Sequence, residues 1–315
     1  MKKFTVTILG SSAAIPTSSR NLSAQLLALG EKYFLIDCGE GTQMILRHLK
    51  IKINKIGHVF ISHLHGDHFF GLIGLMSTWH LIGRKTPLHV YGPPQLQEII
   101  ELQLNASLTV LSYPVVFHHT SIEGIQTIAD AGNLIIKSFP LKHRVPTTGF
   151  IFEEKPLPRK IKRADADRYG VPIYFMEKLR AGADFETADS EVIPNNLLTE
   201  DPPKPRSYAY CSDTAYYEPV AEHVKGVSVM YHEATFMNDK EVAASEKMHS
   251  TAAQAARIAK MAGAGKLIIG HFSARYDDAE ALRNEAAVYF KNTVCAEDLE
   301  TYIIENQDPE EVCCP

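Results

Sequence analysis

The stretch ISHLHGDHFFG, residues 61–71, sets three histidines and one aspartate within six positions, His63, His65, Asp67 and His68. The residues before it, HVFISH, are apolar and β-branched and read as a strand that His63 ends. Side chains two apart on an extended chain point the same way, so His63 and His65 can reach one ion. Gly66 then allows a sharp turn, and Asp67 and His68 begin the helical pattern that runs from Phe69 to Ile82. One loop thus offers ligands to two neighbouring metal positions. Imidazole nitrogen with carboxylate oxygen suits Zn²⁺, and also Mn²⁺ or Fe.

Four side chains do not complete two ions, and the remaining candidates share one kind of position. His143 follows the apolar run LIIKSFPL, Asp213 ends SYAYCSD, and His271 follows KLIIG. All three are expected at or just past the C-terminal ends of strands, where open α/β sheets put their sites. An aspartate between two cations can bridge them. The chain holds 14 histidines; His48, His58, His80, His89, His118, His119 and His223 have no such placement and are expected to be surface or core residues.

Around these motifs, β-rich runs alternate with helical patterns: FTVTILG, QLLALG, KYFLIDCG, then TQMILRHL, LHVYG and PPQLQEIIELQL. The stretch from Tyr113 to Glu154 is all-β, and after Arg206 the α/β rhythm resumes through VSVMYHEAT, STAAQAARIAKMAG, KLIIGHFS and a last helix DDAEALRNEAAVYF. The pattern breaks only from about Lys155 to Arg206, a proline-rich stretch with one helix-like piece near FMEKLRAG. That segment is expected to be an insertion. Two β-then-α halves around it predict one domain, residues 1–315, built as a four-layer αβ/βα sandwich, with residues 155–205 as an inserted flexible arm.

Composition narrows the function classes. The chain has 315 residues, 45% hydrophobic and 22% charged, and no run of eighteen apolar residues, so no membrane span is expected. Its start, MKKFTVTILGSS, reads as a first strand and not as a signal peptide. The five cysteines, Cys38, Cys211, Cys295, Cys313 and Cys314, do not form a disulfide framework, and the cytoplasm is the expected compartment. The pair Cys313–Cys314 reads as a frayed tail. Net charge is −5, yet from Leu141 to Arg163 seven Lys or Arg face only Glu153 and Glu154. A basic patch on an acidic body predicts one side facing a polyanion.

HLHGDH followed by a His, an Asp and a His after strands resembles the metallo-β-lactamase fold superfamily. By that resemblance His63, His65 and His143 hold one zinc, Asp67, His68 and His271 the other, and Asp213 bridges. Within the superfamily, LIDCGEGTQ (35–43), GSSAAIPTSSRNLS (10–23), HEATF (232–236), MHST (248–251) and GHFSARY (270–276) together resemble the ribonuclease Z family of tRNA 3′-processing endonucleases. The resemblance implies two Zn²⁺ per subunit, with Mn²⁺ as a substitute, precursor tRNA as partner, and a homodimer. It also implies that the arm grips tRNA, for which Arg159, Lys160, Lys162 and Arg163 in PRKIKR supply positive charge. The arm departs from the family pattern in one respect: YGVPIYFMEKLRAG (169–182) keeps one Gly-Val-Pro and lacks the second Gly-Pro.

In this reading Asp67 accepts a proton from the attacking water and His249 donates one to the leaving oxygen or clamps the phosphate. Glu233 orients His249, and His232 is structural. Because the fold is shared by hydrolases of many kinds, the alternative is a small-molecule phosphodiesterase or other hydrolase on the same dinuclear centre.

Overall fold

Alternating side chains make the sheets, and both faces of each sheet are apolar. Tyr208 and Tyr210 face one way and Ala209 and Cys211 the other, as the two-residue period of a strand requires. In the computed structural model, which describes residues 2–306, the strands form two seven-stranded sheets. In chain order they are β1 (Phe4–Gly10), β2 (Ala24–Leu29), β3 (Lys32–Ile36), β4 (Ile56–Phe60), β5 (Leu88–Gly92), β6 (Val115–His119), β7 (Gln126–Asp130), β8 (Leu134–Leu141), β9 (Thr147–Glu154), β10 (Ser207–Cys211), β11 (Val229–Glu233), β12 (Lys266–Gly270), β13 (Thr293–Cys295) and β14 (Thr301–Ile303). The first sheet runs β14-β1-β2-β3-β4-β5-β6 and the second β13-β12-β11-β10-β9-β8-β7.

Three apolar layers result. Phe4, Val6, Ile8, Phe34, Phe60, Phe150, Phe152, Tyr208 and Tyr231 fill the space between the sheets. Leu26, Leu35 and Val59 pack outward against Leu72, Leu75, Met76 and Trp79 of the helix Leu72–Leu81. Ala209, Met230 and Ile269 pack outward against Ala252, Ala255, Ala256 and Ala259 of the helix Ala252–Ala262. The small side chains on that helix let it lie close on the sheet. A reciprocal capping box starts it, with Thr251 Oγ1 accepting from Gln254 N–H and Gln254 Oε1 accepting from Thr251 N–H, and Gly263 ends it at φ +62°. This is the expected four-layer αβ/βα sandwich.

Residues 154–205 cluster as a second compact unit, distinct from the rest of the described residues. Where the sequence shows one helix-like piece, the unit has short helices at Arg163–Arg168, Met176–Arg180 and Asn195–Leu198 and two-residue strand pairs. Its small core is Ala166, Val171, Leu179, Phe185, Ile193 and Leu198. Elements this short carry too few residues to show a period in sequence. For the same reason β13 and β14 go unnoticed, although β14 pairs with β1 along Thr5↔Ile303.

Two details near the histidine run differ from expectation. The strand ends at Phe60, not at His63. The helix expected to run unbroken from Phe69 is interrupted, with a single turn Gly66–Phe69 preceding Leu72–Leu81. Gly71 sits at the break because a Cβ there would lie 2.1 Å from the Gly39 carbonyl oxygen. No described helix is long and apolar enough to cross a membrane. Cys313 and Cys314 lie outside the described residues.

Candidate metal centre

All seven expected ligands converge where the strand C-terminal ends of the two sheets meet. His63 Nε2 and His143 Nε2 lie 3.1 and 3.2 Å from His65 Nδ1. Asp213 Oδ2 faces the same group, 3.6 Å from His63 Nε2 and 3.8 Å from His143 Nε2. Beside it, Asp67 Oδ2 lies 3.5 Å from His68 Nε2 and 3.4 Å from His271 Nε2. Asp213 turns its other oxygen to this second group, with Oδ1 3.4 Å from His68 Nε2 and 3.3 Å from His271 Nε2. One buried carboxylate therefore serves two clusters, one oxygen to each.

The proton inventory shows what the clusters are built to receive. His143 Nδ1 bonds the Met248 carbonyl oxygen at 2.8 Å, so Nδ1 carries the hydrogen and Nε2 a lone pair. Thr235 Oγ1 donates to Glu233 Oε2 and accepts from His271 Nδ1 at 3.0 Å, which again leaves a lone pair on Nε2. Ser62 Oγ donates to Asp37 Oδ2 and accepts from His63 Nδ1 at 3.0 Å, with the same outcome. His68 Nδ1 donates to Asp37 Oδ2 at 2.7 Å. Outer hydrogen bonds thus commit four Nδ1 atoms and turn the four Nε2 atoms inward, as metal-binding histidines require.

Four described buried side-chain N or O atoms lack any hydrogen-bond partner, and two of them are His68 Nε2 and Asp213 Oδ1, which face each other here. Among the described residues the ion-pair partners of Asp67 and Asp213 are all histidines. Burial pulls the His68 pKa down, but Asp213, Asp67 and Asp37 outweigh it and push the imidazole well above its ordinary value. Burial first, then the neighbouring imidazoles, hold His63 well below. The carboxylates demand a cation, and nitrogen and oxygen donors of this kind fit a divalent metal ion.

The backbone is strained to achieve this. Of eight described non-glycine residues with positive φ, four frame the site: Ala14 (61°), Asp37 (54°), Met248 (58°) and His271 (59°). Such conformations persist where the surroundings over-determine them, and they cluster at functional sites. Ala14 uses the turn to donate its N–H to Asp67 Oδ2 at 2.8 Å. Asp37 uses it to reach His68, Ser62 and Tyr210 together.

His249 and Glu233 stand beside the clusters. His249 Nδ1 lies 2.8 Å from Glu233 Oε1, and Glu233 is fully buried, held also by Thr214 N–H, Thr235 N–H and the Thr235 hydroxyl. Burial would lower the His249 pKa, but the Glu233 carboxylate raises it to about 9. His232 is buried on its own, with Nδ1 bonded to a backbone carbonyl, and joins neither cluster. Asp37, Ser62 and Thr235 were not singled out from sequence. Asp37 lies inside the quoted LIDCGEGTQ, but a carboxylate that acts through another side chain has no spacing signature of its own.

The arm residues show a different picture. Arg159 pairs with Asp201, Lys160 with Glu200 and Arg163 with Asp167, while the Lys162 ammonium donates to the Asn196 carbonyl oxygen. Over residues 154–205 nine Lys or Arg face ten Asp or Glu. The basic run is locally offset and not a free positive patch. Exposed pairs of this kind are worth little.

Two sheets with outer helices and this two-cluster centre define a hydrolase of the metallo-β-lactamase fold with a divalent-metal site. Family models agree: residues 197–272 match a beta-lactamase superfamily domain and residues 4–157 match the anti-Pycsar protein Apyc1. Ribonuclease Z of Bacteroides thetaiotaomicron is 46% identical over 298 residues, covering 95% of this chain and 94% of that one. Ribonuclease Z of Phocaeicola vulgatus is 43% identical, covering 98% and 100%. Among solved structures, the short form of human tRNase Z superposes with a TM-score of 0.70 at 27% identity, covering 96% of this chain and 99% of that one. The chain belongs to the ribonuclease Z family.

Proposed function

We propose that the protein is a metal-dependent endoribonuclease that removes the 3′ trailer from precursor tRNA, leaving a 3′-hydroxyl on the tRNA and a 5′-phosphate on the trailer. Membership of the ribonuclease Z family supports the substrate. The single structural observation that carries the chemistry is Asp213, whose two oxygens face two separate histidine clusters. His63, His65 and His143 would hold one Zn²⁺, Asp67, His68 and His271 a second, with Asp213 between them and Mn²⁺ as a substitute. When bound, such a pair of ions supplies Lewis acidity that lowers the pKa of a water and offsets charge on a phosphoryl group.

The chain's own residues do the rest. Asp67 accepts the proton of the attacking water. His249, with Nδ1 committed to Glu233, has Nε2 left to give a proton to the departing ribose 3′-oxygen. Thr214, Thr235 and Glu233 fix the His249 ring, so the donor is in place before substrate arrives. Residues 155–205 act as the RNA-gripping arm, where Arg159, Lys160, Lys162 and Arg163 exchange internal partners for phosphate. The working form is a homodimer in the cytoplasm.

The reading is tested with purified protein and a precursor tRNA transcript, before and after chelation. Cleavage that stops on chelation and returns with Zn²⁺ or Mn²⁺ is the expected result. A transcript left intact in the presence of either metal overturns it.

A further inference from the structure

The loop between β1 and β2, residues 11–23, touches the metal centre at two places. Ala14 N–H donates to Asp67 Oδ2 at 2.8 Å. Ser12 and Ala13 pair as a short parallel strand with Phe272 and Ser273, and Phe272 N–H donates to the Ser11 carbonyl oxygen at 2.8 Å. Phe272 directly follows His271, so the loop borders both Asp67 and His271. It makes no hydrogen bond to His63, His65 or His143. What holds the loop is therefore a question about one cluster and not the other.

One carboxylate closes the loop at its base. Asp298, which follows β13, accepts the Ser11 hydroxyl on Oδ1 at 2.7 Å. Its Oδ2 accepts Asn21 N–H at 2.6 Å and the Asn21 amide Nδ2 at 2.9 Å. The two ends of an eleven-residue excursion, Ser11 and Asn21, are thus tied to the two oxygens of a single side chain. On the far side Arg20 donates through Nη1 to the Tyr276 carbonyl oxygen at 2.7 Å and through Nη2 to that of Asp277 at 3.0 Å. Arg20 thereby fastens the loop to the segment downstream of His271. Ala14 sits between these anchors at φ +61°, a conformation that costs an alanine energy unless its surroundings impose it.

We infer that Asp298 and Arg20 are positioning residues that clamp the 11–21 loop and thereby set the geometry of the Asp67–His68–His271 cluster alone. The inference rests on the metal-binding reading above. Releasing the clamp lets Ala14 relax from its left-handed turn and withdraw its N–H from Asp67 Oδ2. It also loosens the strand pairing that fixes the backbone after His271. The His63–His65–His143 cluster, oriented through Ser62 and the Met248 carbonyl, stays as it was.

The test reads metal affinity by calorimetric titration of chelated protein with Zn²⁺, in backgrounds that keep one cluster each. In His143→Ala, where the Asp67 cluster remains, Asp298→Asn should weaken binding about 10- to 100-fold, the range typical for residues that orient ligands. In His271→Ala, where the His63 cluster remains, the same change should leave affinity within about twofold, since the loop makes no hydrogen bond to His63, His65 or His143 and changes at sites not in contact are close to additive. Arg20→Ala repeats both measurements from the opposite anchor and decides the matter if Asp298→Asn does not fold. Asp298→Glu should restore part of the lost affinity. Equal weakening in both backgrounds, or no effect in His143→Ala, overturns the clamp. Failure of the unaltered protein to take up Zn²⁺ at all would instead overturn the metal-centre reading.

Discussion

His249 Nδ1 and Glu233 Oε1 lie 2.8 Å apart, and the carboxylate is fully buried behind the imidazole. A buried carboxylate in that position keeps the ring charged and oriented, which suits a proton donor. His249→Ala is expected to lower kcat by about 10² to 10⁴, the usual span for a general acid, with metal content unchanged. Glu233→Gln should cause a smaller loss of kcat, because the ring keeps its place and loses its charge. Single-turnover rates together with metal analysis check this, and loss of metal in His249→Ala would assign it a ligand role instead.

Asp213 turns one oxygen to each cluster, so its removal should damage both. If each cluster holds one ion as proposed, Asp213→Ala is expected to lower bound metal to less than half and to abolish cleavage. By contrast, His143→Ala should spare the Asp67 cluster. Elemental analysis after dialysis checks the difference, and Asp213→Ala protein retaining both ions would contradict the bridging geometry.

Asp37 touches no substrate in this account, yet it accepts from His68, Ser62 and Tyr210 at once. Asp37→Asn should weaken metal binding roughly 10- to 100-fold, as loss of a ligand's orienting partner typically does. Because Asp37 is buried, its loss should also lower stability. Unfolding in urea with and without added Zn²⁺ separates the two effects; metal should rescue only part of the lost stability.

A second histidine group lies away from the centre. On β4, β5 and β6, His58 stacks on His89, and His89 Nδ1 lies 3.0 Å from His118 Nε2. Burial first, then His89, His118, Lys32 and Arg84, lower the His58 pKa from 6.5 to about 4. The folded state therefore resists protonation that the unfolded state accepts. Stability from this residue is complete above pH 6.5 and is lost as pH falls from there toward 4. His58→Phe should reduce the drop in urea midpoint between pH 7 and pH 5; an unchanged drop would show that acid sensitivity arises elsewhere.

Deleting residues 156–205 should raise KM for precursor tRNA while sparing hydrolysis of bis-p-nitrophenyl phosphate, which needs only the centre. Since three of the four basic groups of PRKIKR already have carboxylate partners, single changes there should have small effects. Lys162, which donates to a backbone carbonyl, should matter more than Lys160. Equal loss on both substrates in the deletion would remove the arm from RNA binding.

Much of this was legible in the sequence because metal ligands are chemically rare and sit at strand ends. His63, His65, Asp67, His68, His143, Asp213 and His271 needed only their residue types and the strands before them, and the structure brings all seven together. SYAYCSD likewise read as a strand, and Ser207–Cys211 is one, buried along its whole length. Asp37, Thr235 and Asp298 were not legible. They act through hydrogen bonds across the fold, between residues as far apart as Ser11 and Asp298, and no local pattern records such a pairing. Charge misled for a related reason: PRKIKR looks basic in sequence, but its partners Asp201, Glu200 and Asp167 come mostly from distant positions.

The central claim is that water, activated at a two-cluster metal centre, cuts precursor tRNA at its 3′ side. Mapping both ends produced from a precursor tRNA tests it most directly. The expected result is one cut after the discriminator base, a 3′-hydroxyl on the tRNA and a 5′-phosphate on the trailer, all dependent on metal. A 2′,3′-cyclic phosphate on the tRNA would mean attack by the neighbouring 2′-hydroxyl and not by water, and would contradict it.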